Sequence, residues 1–215
     1  AIDMGFGALE ATGVGAIGAR GLRALSRATD PVRGGFVDVT NDRAGREYFA
    51  REAAAARDTQ GPIKLAVDVG DPEDYAGASM YTTPEGDGFF AVTPEGELST
   101  LVKDAGSSRR GFAGAALRHG MDEGADWLSA MDTALPPMYG RAGFEPVSRT
   151  PFSRDAMAGD HGDAATDAFM AAGGQYNGGR PDLVFMRRAD GPVSVQNGAG
   201  GEMFEDYGEA EAYLK

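Results

Sequence analysis

The chain contains no cysteine and only two histidines among its 215 residues. The missing cysteine excludes disulfides, thiolate metal ligands and a cysteine nucleophile, and two histidines argue against a histidine-rich metal site. Positive charge is scarce, since 20 Lys and Arg face 33 Asp and Glu and give a net charge of −13. A surface for nucleic acid or anionic lipid is therefore not expected. No apolar run reaches 18 residues, so no membrane-spanning helix is predicted.

Glycine is abundant, at 33 residues, which is about twice its usual share. The first 34 residues are rich in Gly and Ala and lack a basic leading segment, which predicts a linker or weakly helical extension rather than a signal peptide. The chain starts at Ala1 without Met, which suggests a processed product or part of a longer polypeptide. We expect one domain over residues 35–189, followed by a C-terminal tail over residues 190–215 with a short acidic helix at 204–214.

Hydrophobic periodicity and turn signals predict a mixed α/β sheet. Two T-P-E-G tetrapeptides suit type I turns and join three short strands into an antiparallel meander. The expected elements are a helix from Asn41 or Asp42 to Arg57, an extended segment at 63–69, the meander strands 78–82, 88–92 and 98–103, a helix within 106–123, a strand at 127–131, a short helix at 135–141 and strands at 144–149 and 183–186. The long connection at 153–180 is expected to hold one short helix around 164–171.

Two motifs carry a family resemblance that covers roughly residues 41–188. Ser108-Arg109-Arg110-Gly111-Phe112-Ala113-Gly114 follows the third meander strand and is similar to the coenzyme A pyrophosphate loop of the GNAT superfamily of N-acetyltransferases. That loop reads Arg/Gln-x-x-Gly-x-Gly/Ala at a helix start, and here Gly111-x-Ala113 matches while Ser108 replaces Arg/Gln. The segment 138–144, MYGRAGF, resembles the LYxxxGF signature of the family, and 124–128, GADWL, resembles its GA-x-x-L entry to a strand.

The resemblance implies a GNAT-like acyl-CoA N-acyltransferase fold, a sheet that splays open where acetyl-CoA enters. Acetyl-CoA would be the co-substrate, and a small-molecule or peptide amine would attack its thioester directly. Tyr139 would be the general acid that protonates the departing thiolate. The implied coenzyme-binding residues are Leu101, Val102, Lys103, Ser108, Arg109, Arg110, Gly111, Phe112, Ala113 and Gly114.

Elementary chemistry agrees with the loop assignment, because a helix N-terminus offers unpaired N–H groups to phosphates. The alternative is that Gly111 and Gly114 only allow tight packing and that the arginines are solvated. Tyr139 could equally be a core residue. No general base stands out: Glu97 and Asp132 could each accept an amine proton, or each could be a solvated or turn-forming carboxylate.

Two other features have simpler interpretations, a packing role for His119 and an exposed loop for 160–163, so no metal is expected. A second function therefore stays open, a catalytically degenerate GNAT-like domain serving as a structural or interaction module. The LPxxYxxxGF and GGRPDLVFM segments also resemble GNAT-like domains of phage or prophage proteins. The expected location is cytoplasmic, or virion-associated if the phage resemblance holds.

Overall fold

Two four-stranded sheets and six α-helices make up residues 35–215, the part of the chain described by the structure, which is a computed structural model. The extension expected over residues 1–34 lies outside the described residues. The elements in chain order are β1 (Val37–Val39), α1 (Arg43–Asp58), a 3₁₀ turn (Gly61–Ala66), β2 (Ser79–Thr82), β3 (Gly88–Val92), β4 (Leu98–Lys103), α2 (Phe112–Asp122), β5 (Trp127–Met131), α3 (Leu135–Ala142), β6 (Phe144–Thr150), α4 (Arg154–His161), α5 (Asp163–Ala172), a 3₁₀ turn (Asn177–Gly179), β7 (Leu183–Arg188), β8 (Glu202–Met203) and α6 (Tyr207–Leu214). The predicted mixed α/β class is confirmed.

The first sheet has the order β1-β2-β3-β4 and is antiparallel throughout. Both T-P-E-G tetrapeptides form the expected turns, since the N–H of Gly86 donates to Thr83 O at 2.9 Å and that of Gly96 donates to Thr93 O at 3.0 Å. Each of these glycines has a positive φ, which a side chain would disfavour. The meander is confirmed with its predicted boundaries almost unchanged.

The second sheet has the order β5-β7-β6-β8. Its central strand β7 pairs antiparallel with both β5 and β6, while β8 pairs parallel with the outer edge of β6. The strand β8 was not predicted, because it consists of only two residues, Glu202 and Met203, and both are exposed.

Helices cover both faces of the first sheet, and the alternation of its side chains supplies a core on each side. On one face Phe49 and Ala53 of α1 pack against Met80, Phe89 and Val102. On the other, Phe112 and Ala116 of α2 pack against Phe36, Tyr81 and Phe90. A third cluster combines Val92 and Leu98 of the first sheet with Leu128, Ala130, Val184 and Met186 of the second, so the two sheets share one core.

Two local predictions were wrong. The segment 63–69 is not extended, because Pro62 begins a 3₁₀ helix over Gly61–Ala66. The connection 153–180 holds two helices rather than one, α4 and α5, which meet at Gly162 with φ 84° and ψ 154°. Ser153 starts the first of them by accepting a hydrogen bond from Ala156 N at 3.2 Å, an N-cap that the sequence analysis overlooked.

Within residues 35–215, none of the helices combines the length and the apolar character needed to cross a membrane.

Candidate functional site

The strands β4 and β5 run side by side at one point only. A single parallel bridge joins Glu97 to Trp127, and the Trp127 indole N–H donates to Glu95 O at 3.1 Å beside it. Past this bridge the two strands belong to different sheets. The C-terminal parts of β4 and β5 are therefore not paired with each other, and we call the region between them the β4–β5 opening.

A β-bulge shapes the β4 side of the opening. Between the pairs Ala91–Ser99 and Phe89–Val102, β4 contains two residues, Thr100 and Leu101, where β3 contains only Phe90. Thr100 has a φ of 52°, a conformation that a β-branched residue rarely adopts and that often marks a functional site.

The bulge is held in place by Tyr75, whose hydroxyl is hydrogen bonded to Thr100 Oγ1 at 2.8 Å and accepts from Gly70 N at 3.0 Å. Because of the extra residue, both Leu98 and Leu101 pack in the core shared with the second sheet, while Val102 packs towards α1. The bulge thus changes which side chains face each layer. Its signal in the sequence is the three-residue spacing of Leu98 and Leu101, where strict alternation requires an even spacing, and the sequence analysis overlooked it.

The loop predicted to bind pyrophosphate connects the end of β4 to the start of α2. Gly111 is the N-cap of α2 with φ 69°, no side chain caps the helix there, and a Cβ at Gly111 would meet nothing within 4 Å. The amide N–H groups of residues 112–114 find no backbone acceptor in the described chain. The helix start is therefore unsatisfied and open, which is what an anion needs.

Charged side chains fix the approach to this helix start. Lys103 Nζ donates to the carbonyl oxygens of Ser107 at 3.0 Å and Arg109 at 3.1 Å, so it links the end of β4 to the loop. Arg109 forms an ion pair with Glu85. Although burial raises the pKa of Asp87, hydrogen bonds from Ser107 and Thr83 outweigh it and leave that pKa below its ordinary value. Ser108 and Arg110 are exposed, so the predicted loop residues surround one accessible helix end.

Tyr139 lies on α3, which packs against the β5 side of the same region. Its side chain is buried in the shared core with Leu117, Leu128 and Ala130, and burial raises the pKa of the phenol above its ordinary value of 10. The phenol therefore stays protonated at neutral pH. Such a group can donate a proton, and it is also a normal core residue, so both interpretations from the sequence stand.

The two candidate bases differ sharply in their surroundings. Asp132 is not solvated: its carboxylate accepts from Arg149 Nη2 at 3.0 Å and from Gly198 N at 2.7 Å. Within residues 35–215 Glu97 makes no such ion pair, and burial together with the charges of Glu211 and Asp68 raises its pKa to about 7. A carboxylate near its pKa at neutral pH suits proton transfer.

A buried ion network, not anticipated from the sequence, ends the second sheet at the same side as the opening. Arg149 lies between Asp132 and Asp182, with Nη1 of Arg149 at 3.2 Å from the Asp182 carboxylate, and all three side chains are at most 17% exposed. An Arg in a strand and two Asp residues far apart in sequence give no local pattern, so only the pairing of β6 with β7 could reveal the network.

The remaining sequence candidates lie away from the opening. His119 is buried against the rings of Phe36, Tyr81 and Phe90, with its Nε2 unpartnered, in keeping with the packing role expected of it. Asp163 is exposed and pairs with Arg154. Over residues 35–215, no group of three or more acidic or histidine side chains is arranged to hold a metal ion.

Comparison of the chain with models of known families, with curated proteins and with solved structures found no match.

Proposed function

We propose that this chain is an N-acetyltransferase of the GNAT type, which transfers the acetyl group of acetyl-CoA to an amine by direct attack. One observation carries the proposal: two parallel strands part at a single bridge, and the uncapped N-terminus of the helix that connects them lies at their open end. An opening between strands can hold an acyl chain, and the helix end can hold its phosphates.

The pyrophosphate of the coenzyme is proposed to bind the free N–H groups at the start of α2. Gly111 leaves room there because it has no side chain. Lys103, Arg109 and Arg110 supply local positive charge in a chain of net charge −13. The pantetheine would lie along the open edge of β4, at Leu101 of the bulge and at Val102 after it, where β4 and β5 belong to different sheets.

The proposed acid and base lie on opposite faces of the strands. Leu98 shares a core with Tyr139, so Glu97, the preceding residue of the chain, faces the other side. The charges that act on Glu97 confirm its orientation, since Glu211 and Lys215 belong to the C-terminal helix α6 and its end. An amine could then enter from the face of Glu97 while the thiol departs on the face of Tyr139.

Glu97 and Tyr139 together account for the two proton transfers that the reaction requires. The amine nitrogen attacks the thioester carbonyl carbon and forms a C–N bond, and Glu97 accepts the proton that the nitrogen loses. The C–S bond then breaks, and the thiolate takes the phenolic proton of Tyr139. A tyrosine is a weak acid for this step, so most of the rate would come from positioning in the opening.

The acceptor is proposed to be a cationic amine. Glu97 lies close enough to Asp68, Glu95 and Glu211 for their negative charges to raise its pKa, while the positive charge of Lys215 lowers it. Such a carboxylate-rich approach attracts a protonated amine, and a base of pKa about 7 can remove its proton.

Calorimetry with acetyl-CoA tests the coenzyme site directly. Gly111→Val puts a branched side chain where phosphates would approach the helix, and we expect at least a tenfold loss of affinity. Gly178→Val is the matched control, because Gly178 has a similar φ of 64° and equally open surroundings but lies far along the chain from the loop. Wild-type protein that binds no acetyl-CoA would contradict the proposal.

A second function, a non-catalytic GNAT-like module, is favoured by two observations. Tyr139 is packed among apolar side chains, and Ser108 stands where the family has Arg or Gln. Coenzyme binding without any thiol release in the presence of spermidine, a cationic amine, would favour the module over the enzyme.

A further inference from the structure

The segment 189–198 runs along the outer surface of α3, and we call it the strap. We propose that the strap fixes the position of α3 and thereby of Tyr139, so that its residues are positioning residues for the acyl transfer. This inference rests on the proposed function. The strap has no regular secondary structure, so the contacts that it makes with other elements define its path.

Three anchors hold the strap antiparallel to α3. Ala189 N donates to Gly143 O at 2.8 Å at the C-terminal end of the helix, and Val193 N donates to Gly140 O at 2.7 Å within its last turn. At the other end, Gly198 N donates to the Asp132 carboxylate at 2.7 Å, just before the helix begins. The strap is thus anchored at the C-terminal end of α3 and just before its N-terminal end.

The middle anchor requires a glycine in the helix. A Cβ at Gly140 would lie 2.6 Å from both Val193 O and Val195 Cγ2, so any side chain there forces the strap away. Val195 packs in the same apolar cluster as Tyr139. Displacement of the strap would therefore remove Val195 from the apolar side chains that surround the phenol.

The far anchor connects the strap to the buried ion network. Asn197 Nδ2 donates to Asp132 Oδ1 at 3.0 Å and to Thr133 O, while Arg149 holds the other oxygen of the same carboxylate. Asp132 directly follows β5 and lies three residues before the start of α3. The strand, the helix and the strap are therefore connected through one buried carboxylate.

Proton transfer to a thiolate depends on placement within about 1 Å, and a misplacement of that size can cost about a hundredfold in rate. Coenzyme binding at the start of α2 does not depend on α3 in the same way. Loosening the strap is therefore expected to lower kcat and to leave the KM for acetyl-CoA nearly unchanged.

The test uses the full chain with Gly140→Ala, which pushes the strap off the helix. Its matched control is Gly159→Ala in α4, a helical glycine with nothing within 4 Å of the added Cβ. Both changes favour the helix by a similar amount. We expect amide exchange at Ala189 and Val193 to accelerate at least tenfold in Gly140→Ala only.

The catalytic consequence is measured by thiol release from acetyl-CoA with spermidine as acceptor. We expect kcat to fall at least tenfold in Gly140→Ala, with the KM for acetyl-CoA within twofold of wild type, and no change in Gly159→Ala. Asn197→Ala should give a smaller loss of the same kind, while Gln175→Ala, at an exposed residue outside the strap, should give none.

The outcomes separate the two proposals. Unchanged amide exchange in the strap of Gly140→Ala, or equal kcat for the two glycine variants, overturns the positioning role and leaves the acetyltransferase intact. Wild-type protein that binds no acetyl-CoA in calorimetry, or that binds it without thiol release, overturns the proposed acetyltransferase and with it the catalytic role of the strap.

Discussion

Single residues at the β4–β5 opening hold conformations and charges that the rest of the fold must stabilise. Thr100 is the clearest case, since its positive φ costs about 1–3 kcal/mol and Tyr75 supplies the hydrogen bond that holds it. The sequence could not reveal this conformation, because Thr is common in strands and the tyrosine that holds it lies 25 residues earlier in the chain. A distant tyrosine decides the local geometry.

Replacing Tyr75 with Phe should therefore loosen the bulge. The change leaves the Thr100 hydroxyl and the Gly70 N–H without their partner, and an unsatisfied buried group costs about 1–3 kcal/mol. We expect urea denaturation to show a loss of that size, with weaker acetyl-CoA binding. Tyr213→Phe, at an exposed tyrosine, is the control, and an equal effect in both would argue against a role for the bulge.

The raised pKa of Glu97 predicts an acidic limb in the rate profile. The proposed base acts only when ionised, so kcat/KM should rise with pH through an apparent pKa of about 7. Glu97→Gln should remove this limb and most of the activity. A profile that keeps its limb in Glu97→Gln would assign it to another group.

The same pKa gives a stability prediction with a definite sign. Because the folded pKa of Glu97, about 7, lies above its ordinary value of 4.5, the native state binds the proton more tightly than the unfolded state does. The stability contributed by Glu97 is complete below pH 4.5 and is lost as the pH rises through about 7. Thermal melts should thus show Glu97→Gln gaining on wild type between pH 5 and pH 8, and a constant difference would contradict the shift.

At the scale of elements, the sequence predicted the features that depend on a few adjacent residues. The two T-P-E-G turns and the Asp42 cap of α1, which accepts from Gly45 N at 2.8 Å, were predictable because each depends on a few adjacent residues. The helix around Tyr139 was predictable for the same reason. The strap and the Asp132–Arg149 network were not, because they connect residues that are far apart in the chain.

The C-terminal helix α6 belongs to the core of the second sheet. Leu214 is 3% exposed and packs with Trp127 and Phe185, so Leu214→Ala should lower the free energy of unfolding by about 2 kcal/mol, at the lower end for buried leucines. The adjacent Tyr213 is 57% exposed, and Tyr213→Ala should cost much less. The emission of Trp127, the single tryptophan of the chain, should shift to longer wavelength in Leu214→Ala only.

At the scale of the whole molecule, two sheets depend on one shared core. Val92 and Leu98 from the first sheet pack in the same cluster as Leu128 and Val184 from the second, although only one bridge joins the strands. We therefore expect one cooperative unfolding transition. Urea titrations followed by far-UV circular dichroism and by Trp127 fluorescence should have the same midpoint, and separate midpoints would mean that the sheets unfold independently.

The strand order of the second sheet also has a consequence for synthesis on the ribosome. The strands of the first sheet pair in chain order, so this sheet can assemble as soon as Lys103 has left the exit tunnel. In the second, β5 and β6 have no contact through pairing until β7 inserts between them, and Trp127 must wait for Arg187, which is 187 − 127 = 60 residues later. During this interval the nascent chain therefore exposes the unpaired edges of β5 and β6. A chaperone that covers such edges would have its largest effect in this period.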